Sequence, residues 1–170
     1  NESDPVAVRG PLATRYVQQF LRNVAWGDVD FLILDLPPGT GDIQLTIVQT
    51  AELDGVVVVT TPQEVALIDA RKAIGLFERV ETPILGIIEN MSYFQCPSDG
   101  KIYHIFGEGG GEREAAKLGV PLLGKIPLDI STRFGGDEGR PVALEDPGQN
   151  PVSAAFRQVA EQCARVVLDR

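Results

Sequence analysis

The sequence lacks a long apolar run, an excess of positive charge and a cysteine framework, and each absence removes a class of protein. No apolar stretch approaches the roughly 18–20 residues that cross a bilayer, so no membrane partner is expected. The longest strand-like run is Val56-Val57-Val58-Val59. The formal net charge is −9. That disfavours the broad basic surface a phosphate backbone requires, and no nucleic-acid partner is expected. Two cysteines, Cys96 and Cys163, stand too far apart in sequence to suggest a disulfide framework. A reducing, cytoplasmic location is the expectation. Asn1-Glu2-Ser3-Asp4-Pro5 is neither basic nor apolar, so it does not read as a signal or transit peptide.

What is present is an ordinary globular composition, 44% hydrophobic and 23% charged over 170 residues. That length suits one domain with a real core, and residues 1–170 are read as one. Leu12, Tyr16, Val17, Phe20, Leu21 and Val24 share a helical face. A strand is expected at Phe31-Leu32-Ile33-Leu34-Asp35. Asp42 is then expected to cap a helix with Ile43, Ile47, Val48 and Ala51 inward. A second strand ends at Thr60. Thr61 as N-cap, Pro62 at the first helical position and Glu64 closing a capping box predict the next helix. Its inner face is Ala66, Ala70, Ala73, Ile74 and Phe77. A third strand is read from Ile84 to Asn90, and a polar insertion at about residues 92–111. A short helix runs to about Leu118, and a fourth strand from Leu122 to Pro127. Residues 134–150, rich in Gly, Pro and acids, read as a surface loop. Asn150-Pro151 opens a last helix with Val152, Ala155, Phe156, Val159, Cys163 and Val166 on one face. Strands apolar along their whole length need helices on both faces, which predicts a doubly wound parallel sheet in a three-layer α/β/α arrangement.

Ligands of open parallel sheets bind at the carboxyl ends of the strands. The first expected strand ends Asp35-Leu36-Pro37-Pro38-Gly39-Thr40-Gly41-Asp42. A strand-terminal Asp is the arrangement that holds Mg²⁺, usually through water. The prolines stiffen the exit, and the glycines let backbone N–H groups approach a phosphate. Asn90 closes the third strand, where its amide could offer a base edge both a donor and an acceptor or could simply form a turn. Thr61-Pro62-Gln63 is explained by capping alone. Cys96, Asp99 and His104 have a spacing that permits a mononuclear metal site of zinc type, although a surface hairpin with an incidental His explains them better. Cys163, on an apolar helix face, reads as a structural thiol. Gly107 to Gly111 reads as a flexible joint.

In order along residues 9–141, the chain carries Arg9-Gly10-Pro11, Trp26-Gly27, the Asp35 to Asp42 string and Thr60-Thr61-Pro62-Gln63. Glu89-Asn90-Met91-Ser92-Tyr93-Phe94, Phe106-Gly107, Gly109-Gly110-Gly111 and Leu123-Gly124-Lys125-Ile126-Pro127-Leu128-Asp129 follow. With these strings the chain resembles the Mrp/ApbC-type iron–sulfur carrier ATPases, a branch of the MinD/ParA-like deviant P-loop group. The resemblance implies a P-loop NTPase fold that binds ATP and Mg²⁺. Asp35 would stand at the Mg²⁺, Pro38 and Gly39 near the γ-phosphate, Asn90 at the adenine and Pro127 beside the base. It also implies a homodimer that shares a [4Fe–4S] cluster and serves iron–sulfur apoproteins.

Two departures follow. The family's glycine-rich loop and first strand precede the region matched here, and no Gly-x-x-x-x-Gly-Lys-Ser/Thr pattern occurs in the chain. The expectation is an ATPase in the complete protein and little activity from these residues alone. The family's Cys-Pro-x-Cys is here Cys96-Pro97-Ser98-Asp99, so a dimer would offer two thiolates and two carboxylates. Carboxylate oxygen is a poor match for an iron–sulfur site. The expected function is an ATP-dependent iron–sulfur cluster carrier. The alternatives are a cluster-free MinD/ParA-like regulatory ATPase and a non-catalytic binding module.

Overall fold

Parallel strand pairing organises the larger part of the chain. The computed structural model describes residues 10–37, 39 and 41–169. Arg9, Pro38 and Thr40, named above, lie outside the described residues. The chain divides into two compact units, residues 1–53 and 54–170.

In the first unit, α1 (Gly10–Asn23) packs on α2 (Asp42–Thr50). The apolar period of α1 is as read, yet Leu12, Tyr16 and Phe20 on it, and Val24 just past its end, are exposed. The helix α2 starts at Asp42 with Gly41 as its N-cap, so Asp42 is the first helical residue and not the cap. Ile47 of the expected inner face is buried, with Gln44 and Thr46 beside it. The expected strand over residues 31–35 is not formed, and Ile33 is 87% exposed. A strand is a property of pairing as much as of composition. The described residues of this unit are otherwise helix, turn and loop, with no ladder for an apolar segment to join.

The second unit begins with β1 (Val56–Thr60), α3 (Glu64–Arg79) and β2 (Ile84–Glu89). A small antiparallel hairpin, β3 (Phe94–Gln95) and β4 (Ile102–Tyr103), follows. Then come α4 (Gly110–Leu118), β5 (Leu122–Lys125), α5 (Ile130–Asp137) and α6 (Pro151–Leu168). The sheet has the order β1-β2-β5, all parallel, with Thr60 opposite Glu89 and Glu89 opposite Lys125. Val58 and Ile87 meet Ala70 and Ile74 of α3 and Ala115 of α4 on one face. Side chains alternate along a strand, so Ile88 and its neighbour Gly124 face the other way. There α6 presses Val159 to where a Cβ on Gly124 would sit, at 2.5 Å. Helices therefore cover both faces, which is the doubly wound arrangement the apolar strands require.

Three local readings are corrected. The N-cap of α3 is Gln63, whose carbonyl accepts from Ala66 and Leu67 N–H at 3.0 and 3.1 Å. Thr61 is not the cap, and Glu64 turns to Arg71 instead of closing a box. The buried stripe is Leu67, Ala70, Ile74 and Phe77, with Ala66 and Ala73 at its half-buried margin. Residues 134–150 are not loop throughout. Asp129 caps α5 by accepting from Thr132 N–H at 2.9 Å, and a 3₁₀ turn, Val142–Leu144, buries Val142. The last helix starts as read: the Asn150 side chain accepts from Val152 and Ser153 N–H, and Pro151 follows it.

One ion-pair network ties α3 to α4. Arg71 meets Glu114 with two parallel bonds of 2.9 and 2.6 Å, and Lys117 adds a third at 2.8 Å. The Arg71 guanidinium holds the Glu114 carboxyl at about 2, down from 4.5. A depressed carboxyl contributes its stability above the unfolded value and loses it as pH falls toward the folded value. Stability should therefore decline between about pH 4.5 and pH 2. Glu114→Gln should flatten that part of the profile and cost roughly 2 kcal/mol at neutral pH, Arg71 being partly solvated. Urea melts from pH 2 to 7 check this, and an unchanged acid slope in the variant would refute it.

Candidate functional site

The carboxyl edge of the sheet collects the residues expected there from the second unit. Asn90 N–H donates to Thr60 C=O at 2.7 Å, and Ile126 N–H to Glu89 C=O at 2.9 Å. Beyond β2 the pairing continues through Ser92 N–H to Ile126 C=O at 3.0 Å and Leu128 N–H to Tyr93 C=O at 2.7 Å. Asn90 and Pro127 thus leave the sheet side by side, both half-buried. The Asn90 carbonyl oxygen accepts from Met91 N–H at 2.9 Å, closing a turn in which Met91 has φ of 52°. The acceptor of this amide is used locally, and its NH2 group makes no hydrogen bond among the described residues.

The segment following residue 35 belongs to the first unit. Asp35 is exposed, and Gly39 has φ of 100°, a backbone that side chains with a Cβ rarely adopt. Among the described residues beyond its chain neighbours, nothing lies within 4 Å of where its Cβ would be. Gln44, a residue the sequence reading did not single out, holds this turn. It is 3% exposed, and its amide nitrogen donates to Pro37 C=O at 2.8 Å and Gly39 C=O at 2.9 Å. An amide is the group suited to this, because it brings two donors on one atom. The available signal was a polar residue two places into a helix whose neighbours are apolar.

Cys96 stands at the tip of the β3–β4 hairpin. Its N–H donates to Lys101 C=O and its C=O accepts from Gly100 N–H, both at 2.8 Å. The Ser98 hydroxyl, 3.1 Å from Sγ, and the backbone N–H groups of Ser98 and Asp99 pull the thiol below its ordinary value. Asp99 is held low by the Lys101 N–H, which donates to Oδ1 at 3.1 Å. Lys101 Nζ lies 3.3 Å from Oδ2. Cys96 and Asp99 are therefore neighbours, as read. His104 does not join them: Nδ1 lies 3.4 Å from Ser92 C=O, and Nε2 3.6 Å from Glu108. Among the described residues no three His, Cys, Asp or Glu side chains gather as a metal site, so the zinc-type grouping is set aside. Cys163 is half-buried on α6, and burial raises its thiol, as suits a structural residue.

Gly107 to Gly111 is not a flexible joint. Gly109 is the left-handed N-cap of α4, and Gly110 and Gly111 are buried in its first turn. A Cβ on Gly110 would lie 2.3 Å from Pro62 C=O, and one on Gly111 3.1 Å from Glu89 Cβ. Absence of a side chain serves close packing here.

A parallel sheet with helices on both faces, and turns carrying Asn90 and Pro127 at its carboxyl edge, defines a doubly wound α/β domain. The family profile described as "ParA: NUBPL iron-transfer P-loop NTPase" matches residues 1–164, and the chain belongs to that family. A Pyrococcus furiosus protein named "Iron-sulfur cluster carrier protein" is 49% identical over 161 residues, covering 95% of this chain and 54% of that protein. The chain spans about half the length of the curated relatives it matches. A nucleotide-binding protein from Archaeoglobus fulgidus, solved in complex with ADP, is 43% identical with a TM-score of 0.69, over 76% of this chain and 53% of that one. The septum site-determining protein MinD of Pyrococcus horikoshii, complexed with Mg-ADP, is 26% identical with a TM-score of 0.64, over 88% and 56%. No helix among the described residues is long and apolar enough to cross a membrane.

The Gln44 bonds make a direct expectation. Gln44→Glu keeps the shape but replaces the donating nitrogen with an oxygen that faces two carbonyls. It should destabilise the protein by roughly 1–3 kcal/mol and speed amide exchange at Leu45, whose N–H donates to Gly41 C=O at the end of the turn. Thermal melts and hydrogen exchange test this, and wild-type stability with wild-type exchange at Leu45 would remove Gln44 from the turn's support.

Proposed function

We propose that the chain is the switch-bearing and cargo-bearing part of an ATP-dependent iron–sulfur cluster carrier. It would act as a homodimer in the cytoplasm and pass clusters to iron–sulfur apoproteins. What supports the reading most is a single juxtaposition. The hairpin bearing Cys96 springs directly from the Asn90 turn at the sheet's carboxyl edge, in a chain whose family is described as iron-transfer NTPases. A nucleotide contact and a metal-cargo contact are then a few residues apart on one segment.

The donors fit a magnesium nucleotide. Asp35 offers a hard, exposed carboxylate oxygen, the ligand type Mg²⁺ takes. Gly39 is exposed and lacks a side chain, so a phosphate could come close to its backbone. Mg²⁺, when bound, neutralises phosphate charge. Asp35 would hold it, Pro38 and Gly39 would contact phosphate, and the free NH2 of Asn90, with Pro127 beside it, would meet the base. Asp35→Ala in the full-length protein should lower ATP hydrolysis by roughly 10²-fold, the scale of one lost electrostatic contact, with the fold intact. Unchanged turnover would make Asp35 a mere loop carboxylate.

The cluster is cargo. The thiolate is the ligand form of cysteine, and the hydrogen bonds to Cys96 favour it. Two hairpins meeting across a two-fold axis would present two Cys96 and two Asp99. Asp99 favours the second reading, a cluster-free regulatory ATPase, because both its oxygens already serve Lys101 within the turn. Iron and sulfide content after identical anaerobic reconstitution decides between them. The carrier reading expects a labile cluster in the wild type, none in Cys96→Ser, no change in Cys163→Ser and higher occupancy in Asp99→Cys. Equal, near-zero iron in the wild type and Cys96→Ser sinks it in favour of the regulator.

A further inference from the structure

The excursion between β2 and α4 is long and polar, yet both its ends are pinned by one side chain. Glu89, the last residue of β2, is fully buried. Its Oε1 accepts from the Ser92 hydroxyl at 2.5 Å, and its Oε2 from Gly111 N–H at 2.6 Å. Ser92 is where the excursion leaves the sheet, and Gly111 is where it enters α4. A buried carboxyl is costly unless its oxygens are satisfied. Here each oxygen is satisfied by a different limb of the same loop, so neither limb can move without exposing the carboxyl to an unmet bond.

The bond to Ser92 also spans the Asn90 turn. Asn90 and Met91 lie between the two bonded residues, and Met91 is in the left-handed region, which gives the turn little local preference of its own. The bond to Gly111 needs close approach: a Cβ there would sit 3.3 Å from Oε2. Ser92, 3% exposed, has no water to compete for its hydroxyl. The carboxylate's field reaches Lys125 as well, whose ammonium is held charged first by Glu112 and then with help from Glu89.

We infer that Glu89 is a positioning residue that clamps the root of this excursion, and so fixes both the aim of Asn90 and the stance of the Cys96 hairpin. The first half rests on the reading of Asn90 as the base contact. The second half does not. The clamp places the nucleotide-side turn and the cargo-side hairpin on one rigid stem, so that a change at either is transmitted through a single buried group.

The test uses the full-length protein and three measurements: affinity for ADP and GDP, hydrogen exchange at the Cys96 and Gly100 amides, and the melting temperature. Ser92→Ala removes one arm. It should lower the preference for ADP over GDP by roughly tenfold, the size of one buried hydrogen bond, and speed exchange at both hairpin amides. Glu89→Gln should stay near wild type in both, because the Ser92 hydroxyl can reverse and accept from the new amide while Gly111 still donates to the remaining oxygen. If Ser92→Ala does not fold, Gly111→Ala loads the other arm and carries the same expectations. A lower melting temperature with unchanged preference and unchanged hairpin exchange would reduce Glu89 to a stabilising residue and overturn the inference. Asn90→Ala, which touches neither arm, separates the two readings. An unchanged preference there sinks the base contact, and the clamp then stands or falls on hairpin exchange in Ser92→Ala.

Discussion

The buried carboxylate of Glu89 is the constraint around which the second unit is arranged. Its backbone belongs to the central strand, where its C=O accepts from Ile126 and its Cα partners are Thr60 on one side and Lys125 on the other. Its side chain reaches the first turn of α4. A buried carboxyl whose oxygens found no partner would cost several kcal/mol. Both oxygens are met only because the Ser92 hydroxyl folds back on one and α4 begins with glycines that let the Gly111 N–H reach the other. Replacing Gly110 would push α4 off the Pro62 carbonyl, and the Arg71–Glu114 pair linking α3 to α4 would lose its geometry with it. Strand, helix start and ion pair are therefore one system.

The parts of this fold that were legible in the sequence are those set by local pattern. Val56 to Val59, Ile84 to Ile88 and Leu122 to Leu123 are largely apolar on consecutive residues, the composition that a strand covered on both faces requires. Asn150-Pro151 announced the last helix because a side-chain acceptor followed by a residue without an N–H has few other uses. Some misreadings turn on distant partners and others on a local cap. Phe31 to Leu34 has the same composition as β1 but pairs with nothing in its own unit. Pro62 looked like a first helical residue, whereas it is buried and its carbonyl faces Gly110, 48 positions along the chain by residue number. Gly135 and Gly136 argue against a helix, and the Asp129 cap outweighs them.

The same division holds at the site. Asn90 and Pro127 were identifiable as strand-terminal residues, and the sheet brings them together because β2 and β5 are neighbours. Cys96 and Asp99 were legible as a pair because a three-residue separation in a tight hairpin forces them close. The supporting residues were not. Gln44 and Glu89 carry ordinary polar side chains whose roles depend on burial, and burial of one polar residue cannot be read from its own identity. Each turned out to hold a turn by satisfying two partners at once, which is the condition under which a polar residue is tolerated in a core.

Charge completes the argument about what kind of nucleotide site this family member can have. The chain carries nine more negative than positive charges, and three cations of the second unit are committed to acidic neighbours. Lys125 is bonded to Glu112, Lys101 to Asp99, and Arg71 to Glu64 and Glu114. Redirecting any of them to a phosphate would leave a carboxylate without its partner, which for the buried Glu114 is the costlier exchange. Lys125, Lys101 and Arg71 are thus spent within their own unit, and the phosphate contact proposed for the Gly39 N–H would call on none of them.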